Sequence, residues 1–96
     1  MTPAFFAVRT TSAFDREFRK LAKAHPDVVE LFERAVDIMA SDPHNRSRKH
    51  DIKNLEGVPP GEGQYRLRLR RFRFRYDIAA RVVILVACGL RREDTY

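Results

Sequence analysis

The chain has 96 residues, 44% hydrophobic and 33% charged, with four Gly, five Pro and one Cys. That mixture suits one soluble domain over residues 1–96 with a modest core, and it excludes collagen, coiled coil and low-complexity disorder. The formal net charge is +6 and one-sided: residues 1–45 carry six Lys/Arg against seven Asp/Glu, residues 46–96 thirteen against six, and fifteen of the nineteen cations are Arg.

Residues 4–10, Ala-Phe-Phe-Ala-Val-Arg-Thr, are apolar and β-favouring and predict a first strand. Ser12 with Asp15 three residues later is a capping-box pattern that opens a helix. Phe14, Phe18, Leu21 and Ala22 then recur at helical spacing and form one apolar stripe. His25-Pro26 stops that helix, because the residue before Pro avoids the α region. Pro26 is suited to the first position of a second helix, whose stripe is Val28, Leu31, Phe32, Ala35, Ile38 and Met39 and which Asp42-Pro43 ends. A polar, basic stretch from His44 to Asp51 follows. Ile52 and Leu55 are its apolar anchors, and Val58 to Gly63 is a Pro/Gly loop.

From Tyr65 the period becomes two. Tyr65, Leu67 and Leu69 alternate with Arg66, Arg68 and Arg70, and Phe72, Phe74, Tyr76 and Ile78 alternate with Arg71, Arg73, Arg75 and Asp77. The one-residue slip at Arg70-Arg71 predicts a tight hairpin, although Arg-Arg lacks the Gly or Asn such turns prefer. Ala79-Ala80-Arg81 is a second turn, and Val82–Leu90 is a continuous apolar run that predicts a buried central strand. The predicted fold is α+β: a strand, a two-helix hairpin, then a three-stranded antiparallel meander, with the helices on one face of a four-stranded antiparallel sheet.

The apolar run 82–90 is about half the ~20 residues a spanning helix needs, and the N-terminal patch Pro3–Val8 has no basic residue before it. No membrane span and no signal peptide are expected. Cys88 is alone, so an internal disulfide is impossible and the chain reads as cytoplasmic. No His/Cys/Asp/Glu cluster has metal-ligand spacing, and Gly57, Gly61 and Gly63 sit in a loop without a following helix, so no phosphate loop is present. What remains is the alternation. It places Arg66, Arg68, Arg70, Arg71, Arg73 and Arg75 on one sheet face, with the apolar residues facing the helices. Like charges opposite one another across strands are destabilising, and a phosphate backbone is the natural counter-charge for so many guanidiniums.

The segments Tyr65-Arg66-Leu67-Arg68-Leu69, Phe72-Arg73-Phe74-Arg75-Tyr76-Asp77, Val82-Val83-Ile84-Leu85 and Cys88-Gly89-Leu90-Arg91-Arg92, with the closing Tyr96, resemble the RelE/ParE superfamily, the toxins of type II toxin–antitoxin pairs. Upstream, Leu21, Ala24-His25-Pro26, Asp42-Pro43 and Ile52-Lys53-Asn54-Leu55-Glu56-Gly57 fit the same pattern, so the resemblance covers nearly the whole chain. RelE-like members cleave mRNA in the ribosomal A site, whereas ParE-like members inhibit DNA gyrase without nuclease chemistry. The RelE pattern has cations on alternate residues of the second strand, an Arg on the third, an Arg after the fourth and a Tyr near the end. Arg66, Arg68, Arg73, Arg91 and Tyr96 match it.

The resemblance therefore implies a ribosome-dependent mRNA endonuclease, with gyrase inhibition as the alternative. The implied reaction is attack of a 2′-hydroxyl on the adjacent phosphorus, leaving a 2′,3′-cyclic phosphate and a 5′-hydroxyl, with no metal or cofactor. Arg73 and Arg66 would hold the scissile phosphate, Arg68 the flanking backbone and Arg91 the leaving 5′-oxygen, while Tyr96 would stack on a base. Lys49, His50, Lys53, Arg70, Arg71 and Arg75 would bind RNA around them. RelE has Lys where this chain has Arg66 and Arg68. Arg does not shed its proton near neutrality, so the group that accepts the 2′-hydroxyl proton stays open. The implied partners are an acidic antitoxin protein, the ribosome and mRNA, or gyrase on the alternative reading.

Overall fold

The computed structural model describes residues 5–90, and the expectations for Arg91 and Tyr96 lie outside the described residues. The elements in chain order are β1 (Ala7–Thr10), α1 (Ser12–Ala24), α2 (Val28–Ser41), β2 (Ile52–Asn54), β3 (Tyr65–Leu69), β4 (Phe72–Ala79) and β5 (Val82–Leu90). They form a five-stranded sheet in the order β1-β5-β4-β3-β2. The α+β reading holds in class and in the β3-β4-β5 meander. It is corrected in two details. β1 runs parallel to β5, which the long connection through both helices permits. Ile52–Asn54 adds a fifth strand on the free edge of β3, too short to show a period in sequence.

The helix ends also differ from expectation by a residue or two. Thr11, not Ser12, caps α1: its Oγ1 accepts the Phe14 N–H at 3.1 Å. Asp15 still lies in the first turn, where a carboxylate complements the helix dipole. α2 begins at Val28 rather than Pro26, because Pro26 sits in a tight turn in which the Val28 N–H bonds the His25 carbonyl at 3.0 Å. Asp27 makes no side-chain cap for α2, since its carboxylate is held by Arg71 instead.

Both apolar stripes face the sheet. Phe14 from α1 and Val28, Leu31, Ala35 and Met39 from α2 meet Leu67, Phe72, Phe74, Tyr76, Val83 and Leu85 in one buried core. An aromatic run through Phe18, Phe14, Phe32 and Phe74 ties the layers, with neighbouring ring centroids 4.8–6.2 Å apart. Full burial of a ring, as at Phe14 and Phe74, stabilises by ~1.5–3 kcal/mol. β5 is interior to the sheet but second in order, and β4 is the central strand. Only Val83 and Leu85 of β5 are fully buried, since no second layer of the described residues covers the other face.

Both predicted turns form, each at the cost of a left-handed non-Gly residue. Arg70 has φ 55° between β3 and β4, and Ala80 has φ 55° between β4 and β5, a conformation that costs ~1–2 kcal/mol outside Gly. A bulge between Arg75 and Tyr76 pairs Arg75 with Ala87 and Tyr76 with Leu85. No helix among the described residues is long and apolar enough to cross a membrane.

Tyr76 fastens the loop after α2 to the sheet. It is fully buried, stacks on Tyr65 at 5.5 Å and donates its hydroxyl to the Pro43 carbonyl at 2.8 Å. Burial pushes the Tyr76 hydroxyl pKa well above its ordinary value near 10.0, with Tyr65 and Asp42 adding to the shift. The unfolded chain therefore loses this proton first as pH rises. The contribution is complete below about pH 10 and disappears progressively above it. Denaturant unfolding of the wild type should weaken from pH 9 to 11 more steeply than that of Tyr76→Phe; parallel curves would show that Tyr76 does not carry the dependence.

Candidate nucleic-acid interface

The face of the sheet turned away from the helices carries the arginines. In the β3–β4 ladder Arg66 lies directly opposite Arg75, and Arg68 directly opposite Arg73. The first row extends to Lys53 on β2 and Ala87 on β5, and the second to Gly89 on β5. Five cations thus occupy two adjacent rows across three strands, bordered on β5 by two small residues. Arg73, Arg75, Ala87 and Gly89 line a shallow depression of about 200 Å³ at that border.

The expectation of six arginines on one face is corrected to four. Arg70 and Arg71 form the turn, where alternation no longer applies. Arg71 folds toward the helix layer, its Nη2 donating to both Asp27 oxygens at 3.1 and 3.2 Å and its guanidinium lying 5.1 Å from the Phe72 ring centre. Lys49 and His50 stand at another cleft, of about 370 Å³, which they line with Arg34, Asp37, Ile38, Asp51 and Leu69. His50 Nε2 lies 3.8 Å from the Asp42 carboxylate. Burial favours a higher pKa for Asp42, yet hydrogen bonds from the Ser47 hydroxyl and the Arg46 and Ser47 backbone N–H groups hold it below its ordinary value.

Three acidic or backbone groups missing from the sequence reading organise the arginines. Asp51 Oδ2 accepts from Arg68 Nε at 2.8 Å and Asp51 Oδ1 from Arg66 Nη2 at 3.4 Å, while the Asp51 carbonyl accepts the Arg68 backbone N–H at 2.9 Å. It is the lone acid in the basic stretch 44–53, a sequence signal that could have marked it. Asp77 continues the outward alternation and is buried, its two oxygens accepting the Gly63 and Gln64 backbone N–H groups at 3.0 Å each. The loop so held presents the Gly63 carbonyl to Arg75, which donates from Nη2 at 2.9 Å and Nε at 3.2 Å. Gly63 is required there: its φ is +85°, and a Cβ would come within 2.9 Å of Arg75 and Val86 atoms.

Electrostatically the face is under tension. Burial lowers the Arg66 pKa from its usual value, Arg68 and Arg73 lower it further, and Asp51 works in the opposite sense. The Arg66 side chain is only 15% exposed. The Nε–H groups of Arg66 and Arg73 are buried and have no hydrogen-bond partner among the described residues. A charged donor left so costs more than a neutral one. A face that sets guanidiniums opposite one another across strands is suited to a phosphodiester, whose negative charge offsets their repulsion.

No family model matches the chain. No curated protein sequence matches it either. Among solved structures it is similar to the archaeal RelE–RelB complex from Pyrococcus horikoshii OT3, at 24% identity over 92% of this chain and 97% of that one, with a TM-score of 0.62. The chain has the RelE fold. The sheet with its two helices is thus RelE-like in architecture, and the arginine rows sit on the open face of that architecture.

Proposed function

We propose that the chain is the toxin of a toxin–antitoxin pair and a metal-independent endoribonuclease that cleaves mRNA on the ribosome. The observation that supports this reading is the pairing of Arg66 with Arg75 and Arg68 with Arg73 on the open sheet face, with Lys53 extending the first row. In this reading a phosphodiester lies over the rows, and the guanidiniums neutralise the charge that builds on phosphorus as the neighbouring 2′-hydroxyl attacks. Arg73 and Arg66 hold the scissile phosphate, and Arg68 holds the next one along the backbone. Arg75, already committed to the Gly63 carbonyl, shapes the field rather than contacting the reacting atoms. Arg91 is assigned to the leaving 5′-oxygen and Tyr96 to base stacking. The antitoxin partner is an acidic segment drawn to the cationic face.

Asp51 sets where two of these guanidiniums lie. Asp51→Asn removes its charge while keeping its size, and the partly exposed pair adds little to stability. Single-turnover cleavage by this variant should fall by roughly 10- to 10²-fold, as small misplacements of positioning groups do, with Tm nearly unchanged. An unaltered rate would remove Asp51 from the site.

Primer extension on a reporter mRNA after induction of the chain alone tests the proposal as a whole. Discrete new 5′ ends within translated codons are expected. Intact message together with DNA breakage would instead favour a gyrase inhibitor.

A further inference from the structure

Arg16, Arg19, Lys20 and Lys23 of α1 follow one another at i, i+3, i+4 and i+7. At 3.6 residues per turn they fall within an arc of about 100°, centred opposite the buried stripe of Phe14, Phe18, Leu21 and Ala22. All four are exposed, and they alone line a shallow depression on the helix surface. None takes part in an ion pair among the described residues. The carboxylate nearest in sequence that is held in place, Glu17, turns aside to accept the Cys88 backbone N–H at 3.1 Å.

Four like-charge contacts at i,i+3 and i,i+4 destabilise a helix by ~0.2–0.5 kcal/mol each. The fold gains nothing visible in return, since the stripe packs on no other element. Because α1 lies on the helix-covered side of the sheet, this stripe is on the opposite side of the molecule from the arginine rows. We infer that it is a second polyanion-binding surface, and that its ligand is the phosphate backbone of folded, double-stranded RNA. An acidic protein is the poorer match. Protein interfaces rest on buried aromatic or aliphatic anchors, and the stripe offers none. A backbone needs only cations along a ridge, without sequence readout. The surface does not depend on the cleavage chemistry proposed for the other face.

The test is fluorescence anisotropy with a labelled 20-base-pair RNA duplex, titrated with the full-length chain from 50 to 200 mM salt. The Arg16→Gln/Arg19→Gln/Lys20→Gln/Lys23→Gln variant should bind on the order of 10²-fold more weakly at the lowest salt, and its salt slope should be shallower by about 3. A charge-matched variant, Arg9→Gln/Arg34→Gln/Arg48→Gln/Arg81→Gln, should lose less than a tenth as much affinity. Equal losses in the two quadruple variants would mean that only net charge matters and would overturn the inference, as would wild-type affinity in the α1 variant. Gln keeps helix propensity, and removing like-charge pairs favours folding. Should the quadruple variant nevertheless fail to fold, Arg19→Gln/Lys23→Gln carries the same comparison at half the slope change.

Discussion

Arg73→Ala is expected to abolish growth arrest when the chain is expressed alone, while leaving it folded. Arg73 lies opposite Arg68 on β3 and Gly89 on β5, in the row that the proposed mechanism places against the scissile phosphate. Removing one preorganised donor from developing anionic charge lowers rates by ~10²–10³-fold. The fold should not suffer, because Ala at this position relieves a directly opposed like-charge pair and one unpartnered donor. Far-UV circular dichroism and Tm should match or slightly exceed the wild type. A folded Arg73→Ala chain that arrests growth as before would show that the arginine rows are not the toxic site.

Phe74→Ala should have the largest effect on stability. Phe74 is fully buried on the central strand, across from Leu67 and Cys88 and 6.2 Å from the Phe32 ring. Truncating such a ring costs ~3–5 kcal/mol. In a domain of this size that lowers Tm by roughly 15–30 °C, and toxicity is lost with the fold. The contrast with Arg73→Ala, one residue away on the other face, separates structure from chemistry. A Phe74→Ala chain that melts within a few degrees of the wild type would contradict the assignment of the inner face.

Both residues were legible in the alternation of 65–78, because on a pleated strand a period of two sorts side chains to faces whatever the sheet topology. The same rule explains where legibility ended. It fails in a turn, so Arg70 and Arg71 were misplaced, and Arg71 instead pairs with Asp27 forty-four residues away. Strand direction is not encoded in period, so the parallel pairing of β1 with β5 had no local signature. Ile52–Asn54 is held by the free edge of β3 rather than by its own pattern. Asp51 acts through guanidiniums fifteen and seventeen residues away, a pairing that only the β2–β3 approach creates. The Cys88 thiol, read as a strand residue, is half-buried, and burial with Glu17 nearby pushes its pKa up to about 12, so it stays protonated near neutrality.

On the proposed mechanism the arginine face cleaves RNA through the neighbouring 2′-hydroxyl. Single-turnover reaction of the purified chain with ribosomes carrying a defined mRNA, followed by analysis of the fragment ends, tests it most directly. The expected products are a 2′,3′-cyclic phosphate on the upstream fragment and a 5′-hydroxyl on the downstream one, with no cleavage when the attacking nucleotide is 2′-deoxy. Intact mRNA, or equal cleavage of the 2′-deoxy message, would contradict it.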